Sequence, residues 1–190
     1  MRGKRNLPVN PNRDSNSLSL RRKELVMTKS TRITALMLVT LAATAALAQS
    51  DAQKSFTQLK SLTGSWEGKA HDGKPLLVSY RETAGGSALM SEIQGDHGMM
   101  SMFNLDGPNK LLMTHYCSAG NQPRMQASVS PDGKTITFDY VDATNLTAPD
   151  AGHMQSMILT VLDDNHHTED WTFVDHGKEM KEFFDLRRKL

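Results

Sequence analysis

Residues 110–141 read KLLMTHYCSAGNQPRMQASVSPDGKTITFDYV, and their pattern decides the fold. Two clusters of turn residues, Gly120-Asn121-Gln122-Pro123 and Ser130-Pro131-Asp132-Gly133, cut the stretch into three short runs at 110–117, 124–129 and 135–141. In the last run Thr135, Thr137 and Asp139 alternate with Ile136, Phe138 and Tyr140. Side chains of a strand point to opposite faces in turn, so this alternation predicts one wet face and one buried face.

The same grammar extends in both directions. Earlier runs fall at 66–70, 76–82, 88–93 and 99–105, separated by His71-Asp72-Gly73-Lys74, Ala84-Gly85-Gly86 and Gly95-Asp96-His97-Gly98, with Asp106-Gly107-Pro108-Asn109 leading into residue 110. Later runs fall at 154–162, 167–174 and 179–188, separated by Asp163-Asp164-Asn165 and Asp175-His176-Gly177-Lys178, after an irregular segment at 142–152. In the final run Met180, Phe184 and Leu186 oppose Lys181, Asp185 and Arg187. Ten runs with mostly hairpin-length connections and no crossover helix require antiparallel pairing, because parallel neighbours need long crossovers. An open meander of that size leaves two unpaired edges, and closure removes them. The prediction is an all-β, about ten-stranded antiparallel up-and-down barrel. Ahead of it, Phe56, Leu59 and Leu62 recur at helical spacing and Thr63-Gly64 stops them, which predicts a short N-terminal helix over 52–62.

The segment before the barrel reads as an export signal. Lys29 and Arg32 form a basic start, residues 33–41 (ITALMLVTL) an apolar centre, and Ala46-Leu47-Ala48 a small-residue cleavage site before Gln49. A membrane span needs about 20 apolar residues, so residues 27–48 are expected to be removed, leaving no stable membrane anchor and a periplasmic or secreted protein. Residues 1–26 are polar and Arg-rich without apolar periodicity. Lys23-Glu24 can be encoded by a ribosome-binding consensus just ahead of Met27, so translation is expected to begin at Met27. The expected organisation is a doubtful leader at 1–26, a signal peptide at 27–48 and a single barrel domain at 49–190.

Cleavage changes the charge. Nine of the 22 Lys+Arg but only two of the 21 Asp+Glu lie in residues 1–48, so the formal net charge of +1 becomes −6 in the 142 residues that follow. That sign argues against nucleic acid or an anionic membrane as partner, since phosphate binding calls for a surplus of cations. Cys117 is the single cysteine, so no intramolecular disulfide can form and the core alone carries stability.

Gly64-Ser65-Trp66-Glu67-Gly68, following the short helix, resembles the G-x-W opening of the calycins, the superfamily of lipocalin and fatty-acid-binding barrels. The strand count is similar to the fatty-acid-binding and nitrobindin-like members, and the ending Trp171…Gly177-Lys178…Arg187-Arg188 to exported bacterial lipocalin-like domains. The resemblance implies that Trp66 plugs the barrel bottom and that Arg187 or Arg188 packs across its indole, a cation over an aromatic face. No histidine matches a nitrobindin-type haem ligand, so no cofactor is expected.

The stretch from Met113 to Met125 concentrates the chemistry. His115 and Cys117 share a strand face with Met113, and Asn121, Gln122 and Arg124 follow around the turn. If that face points inward, an imidazole, a thiol, two amides and a guanidinium converge at one barrel mouth, a set suited to the head group of an anionic or carbonyl-bearing amphiphile. If Trp171 is interior, Glu169 and His167 turn inward with it and need buried partners, with Arg124 one candidate. Nine methionines remain after cleavage, and flexible thioethers suit either a cavity for apolar ligands or gap-filling in a core. The expected ligand-binding set is therefore His115, Cys117, Asn121, Gln122, Arg124 and Trp171, and the expected partner a small hydrophobic or amphipathic molecule. Two alternatives stay open. One is a hydrolase- or isomerase-type barrel enzyme using His115 and Cys117. The other is a metal-binding barrel in which His97, His153 or His167 would add ligands.

Overall fold

In a computed structural model of the protein, the described residues are 49–70, 73–95, 98–189. The expectations for the leader and signal peptide, and for His71, Asp72, Asp96 and His97, lie outside them.

Ser50 opens helix α1 (Asp51–Ser61) with a capping box. Its hydroxyl accepts from the Gln53 amide at 3.1 Å, and the Gln53 side chain accepts from the Ser50 amide at 2.9 Å. Ser50 Oγ also donates to the Pro108 carbonyl, fastening the helix start to a turn of the barrel. The inner face of α1 buries Phe56 and Leu59, continued by Leu62 just past its end.

Ten strands follow: β1 (Gly64–Lys69), β2 (Pro75–Thr83), β3 (Ala88–Gln94), β4 (Met99–Asp106), β5 (Lys110–Tyr116), β6 (Gln122–Val129), β7 (Thr135–Thr144), β8 (His153–Asp163), β9 (His166–Asp175) and β10 (Lys178–Arg188). Each pairs antiparallel with its sequence neighbour, and β1 pairs with β10 to close the barrel. The protein is all-β with one short helix, as the alternation and turn spacing predict. The irregular segment is shorter than expected, because β7 runs on to Thr144. A bulge between Arg124 and Met125 opposite β7, and two more in β8 against β9, shift the ladder locally.

The apolar phase of each strand faces inward. Leu89, Phe103, Met113, Met125, Ile136, Phe138, Met157 and Leu159 are all buried, so most of the methionines on this face serve as core filling. The helix closes the end where β1 begins. There Trp66 is completely buried, its indole N–H donates to the Leu62 carbonyl at 2.7 Å, and the Arg188 guanidinium lies 4.3 Å from its ring. Of the two arginines the resemblance left open, Arg188 takes this place, while Arg187 faces outward near Asp185. Arg188 also donates to the carbonyls of Ser61, Thr63 and Asp164. It thereby satisfies carbonyls at and just past the end of α1 and ties them to the β8–β9 turn. Gly64 permits this approach: its φ is +131°, and a Cβ there would sit 3.0 Å from Arg188 Nη1.

The opposite end is roofed by the β7–β8 connection. Asn121 Nδ2 donates to the Gly152 carbonyl at 2.7 Å, Asn145 Nδ2 to the Gly120 carbonyl at 2.6 Å, and the His176 amide to the Asp150 carbonyl at 2.9 Å. Gly152 lies so close to Phe173 that a Cβ would come within 2.7 Å of its ring.

Candidate functional site

A band of polar side chains crosses the barrel interior. Tyr80, Ser91, Ser101 and His115 stand opposite one another on β2, β3, β4 and β5, all on the inward phase and all buried. From β9 the inward phase brings His167, Glu169 and Trp171. The two arcs meet. Glu169 Oε1 accepts from the Tyr80 hydroxyl and lies 3.3 Å from His167 Nε2, and Oε2 accepts from the Trp171 indole N–H at 2.8 Å. On the other side His115 Nδ1 bonds Ser101 Oγ at 2.9 Å, and its ring lies 5.0 Å from that of Trp171. The result is a polar circuit around the inside of the barrel, flanked by the core.

A carboxylate without solvent exposure survives only if its lone pairs are filled. Burial alone would push the Glu169 carboxyl up. The hydrogen bond and charge of His167, with the Tyr80 and Trp171 bonds, outweigh it and hold the carboxyl below its usual range. Tyr80 moves the other way: burial first, then the Glu169 charge and hydrogen bond, raise its hydroxyl well above the usual value. It therefore stays a donor. His167 stands edge-on to Trp66, ring centroids 4.3 Å apart, linking the circuit to the plugged end.

Burial pushes the His115 imidazole down from 6.5 to about 4, against a smaller upward pull from Glu169. The ring is neutral at pH 7. The unfolded chain takes up the proton near pH 6.5 while the folded one resists it, so this contribution is intact above that pH and is lost as pH falls toward 4. Between pH 7 and pH 5 the loss should be about 2 kcal/mol. Urea unfolding at the two pH values should show it, and His115→Leu should flatten the profile by that amount. An unchanged slope in the variant would contradict the assignment. Glu169 adds a loss in the same direction only below its own unfolded value of 4.5, outside that window.

Among the described residues two buried atoms of this circuit, His115 Nε2 and His167 Nδ1, have no hydrogen-bond partner; Asn121 Oδ1, in the roof, is a third. Such atoms are uncommon in folded proteins, and each one calls for an explanation. Above the circuit, at the roofed end, a cleft of about 240 Å³ opens between β8, β9 and β10. Met154, Phe173 and Met180 wall it with Trp171, and Lys181 and Glu182 stand at its edge. A larger cleft of about 450 Å³ lies outside the barrel between α1 and the β6–β7 turn. Neither cleft is lined by any of these unpartnered atoms, but the smaller one is lined by Trp171, whose ring lies against His115, so the chemistry points to it.

The expected ligand-binding residues divide. His115 and Trp171 are brought together inside. Asn121 is buried at the β5–β6 turn and holds the roof. Gln122 bonds Thr144 and the Gly120 carbonyl on the turn. Cys117 is half-buried beyond His115, and among the described residues no hydrogen bond joins its thiol to that imidazole. Arg124 faces outward and forms a bidentate pair with Asp142 across the β6–β7 ladder. It does not reach Glu169, whose partners are Tyr80, His167 and Trp171. Among the described residues no group of three or more His, Cys, Asp or Glu is placed to hold a metal ion.

Tyr80, Ser91 and Ser101 are absent from the sequence-based set. Their one local signal is a polar side chain on the buried phase of an alternating strand, as where Ser91 lies between Leu89 and Ile93.

No protein-family model and no curated protein matches the chain. Among solved structures the chain is similar to the crystal structure of Rv2717c from M. tuberculosis, at 16% sequence identity and a TM-score of 0.51, over 72% of this chain and 98% of that one. At that identity the likeness speaks for the fold, and it places the chain among barrels built on the same plan.

Proposed function

We propose that the protein is an exported, calycin-like barrel that binds a small apolar or amphipathic molecule at the roofed end, in the periplasm or outside the cell. The observation that carries this reading is the unpartnered His115 Nε2, completely buried against Trp171, which itself lines a cleft walled by apolar side chains with Lys181 and Glu182 at its edge. Ligand pockets combine apolar walls with a few polar groups that fix orientation. Here Met154, Phe173 and Met180 supply the walls, and thioethers adapt to varied shapes. At about 240 Å³ the cleft is below the roughly 300–1,000 Å³ typical of pockets for drug-sized ligands, so it suits a short chain or a single ring. Trp66 under Arg188 closes the other end.

Native mass spectrometry of the protein from its own host should show a chain starting at Gln49 carrying a retained small molecule. The neutral dye N-phenyl-1-naphthylamine should bind and brighten. Met180→Trp, which fills the cleft, should weaken dye binding at least about tenfold, whereas Arg124→Ala on the outer face should leave it unchanged. Absence of both a retained molecule and dye binding would remove the reading. Equal loss in the two variants would move the site elsewhere.

A further inference from the structure

The protonation of the buried circuit limits what a ligand can present to it. Ser101 is buried, and among the described residues His115 Nδ1 is the acceptor its hydroxyl reaches, at 2.9 Å. No hydrogen bond joins Ser101 to Ser91 among those residues. A buried hydroxyl keeps its proton in a hydrogen bond. Ser101 therefore donates to Nδ1, and the one proton of the neutral imidazole sits on Nε2. The unpartnered atom is thus an N–H that has no acceptor, in a band where the Tyr80, Ser101 and Trp171 donors each have one.

The surrounding charge narrows the choice further. The Glu169 carboxylate is buried in the same circuit and is bonded to Trp171, which lies against His115. An anionic group reaching Nε2 would be buried beside that like charge. The cation beside Glu169 is His167, already bound to its Oε1, while Arg124 is on the outside with Asp142 and Lys181 stands at the edge of the cleft. A cationic group would meet the Nε2–H donor head-on. It would find the Glu169 oxygens already taken, Oε1 by Tyr80 and His167 and Oε2 by Trp171.

We infer that the ligand of this site presents a neutral hydrogen-bond acceptor of the carbonyl class to His115 Nε2–H, with its apolar part among Met154, Phe173 and Met180. This deepens the binding reading above and rests on it. The same protonation leaves Nε2 without a free lone pair for a metal. Because Nε2 has no solvent exposure beneath Trp171, contact requires the indole to shift, so binding changes the environment of that side chain.

Imidazole 15N–1H correlation spectra of the protein at pH 7 should show His115 as the Nε2–H tautomer. Titration with 2-octanone should shift that resonance and alter tryptophan emission. Octanoate and octylamine, matched in chain length, should bind at least about tenfold more weakly. His115→Leu should abolish the preference for the ketone, and His115→Gln, which retains an N–H donor, should keep part of it. An Nδ1–H tautomer, or octanoate bound as tightly as the ketone, would overturn this inference and leave dye binding in place. If dye and all three probes fail, the binding reading falls and takes the inference with it.

Discussion

Trp66→Ala should lower the unfolding free energy by about 3–5 kcal/mol, the range for removing a large buried aromatic side chain. The indole is completely buried where α1 meets the barrel, and three separate interactions depend on it. Its N–H satisfies the Leu62 carbonyl just past the helix, its face carries the Arg188 guanidinium, and its surface takes the edge of His167. Truncation leaves a cavity beneath the helix and strips Arg188 of its aromatic contact, although the guanidinium keeps its bonds to Ser61, Thr63 and Asp164. Denaturant unfolding followed by circular dichroism measures the effect. Trp66→Phe should recover part of the loss, since it refills volume without the N–H. A change under about 1 kcal/mol for the alanine variant would mean that the plug is not what joins helix and barrel.

Glu169→Ala should cost a comparable amount, roughly 3–5 kcal/mol, by a different route. Truncation removes the acceptor of the Tyr80 hydroxyl, the Trp171 indole N–H and the His167 imidazole at once, at a place no water reaches. Glu169→Gln tests the electrostatic part. It preserves volume, but one of its two terminal atoms is an amide donor, so either Trp171 faces a donor with a donor or Tyr80 and His167 must exchange their donor roles for acceptor ones. Its loss should be smaller, about 1–3 kcal/mol. If Glu169→Gln were as stable as the parent, the carboxylate would not be organising the circuit. Emission from Trp171 gives a second readout, since its N–H partner changes in both variants.

Much of the architecture was legible because strands announce themselves locally. Alternation at Thr135–Tyr140 and turn clusters such as Ser130-Pro131-Asp132-Gly133 need no distant information, and they predict both the strand and the phase that faces inward. The inward placement of His115 with Met113, and of His167 and Glu169 with Trp171, follows from the same period of two. The functional end was less legible. Arg124 faces outward by the same alternation that turns Pro123 and Met125 inward, and a bulge that skips Val141 of β7 sets it opposite Asp142. Its nearness to His115 in the chain, not its phase on the strand, put it in the expected set. Asn121 and Gln122, grouped with His115 by proximity in the chain, are used by the turn and by the roof above it.

The amino-acid sequence by itself determined an antiparallel meander with a short leading helix, the buried face of each strand, and a G-x-W segment with an arginine-rich last strand to close on it. These depend on interactions within a few residues or between neighbouring hairpins. Tertiary structure decided which inward polar groups meet. Tyr80 and Glu169 are 89 residues apart, and His115 meets Trp171 because barrel closure brings β5 and β9 face to face. The choice of Arg188 over Arg187 likewise depends on the register of β10 against β1. Contacts across a barrel are set by strand number and stagger together, and both are properties of the closed sheet.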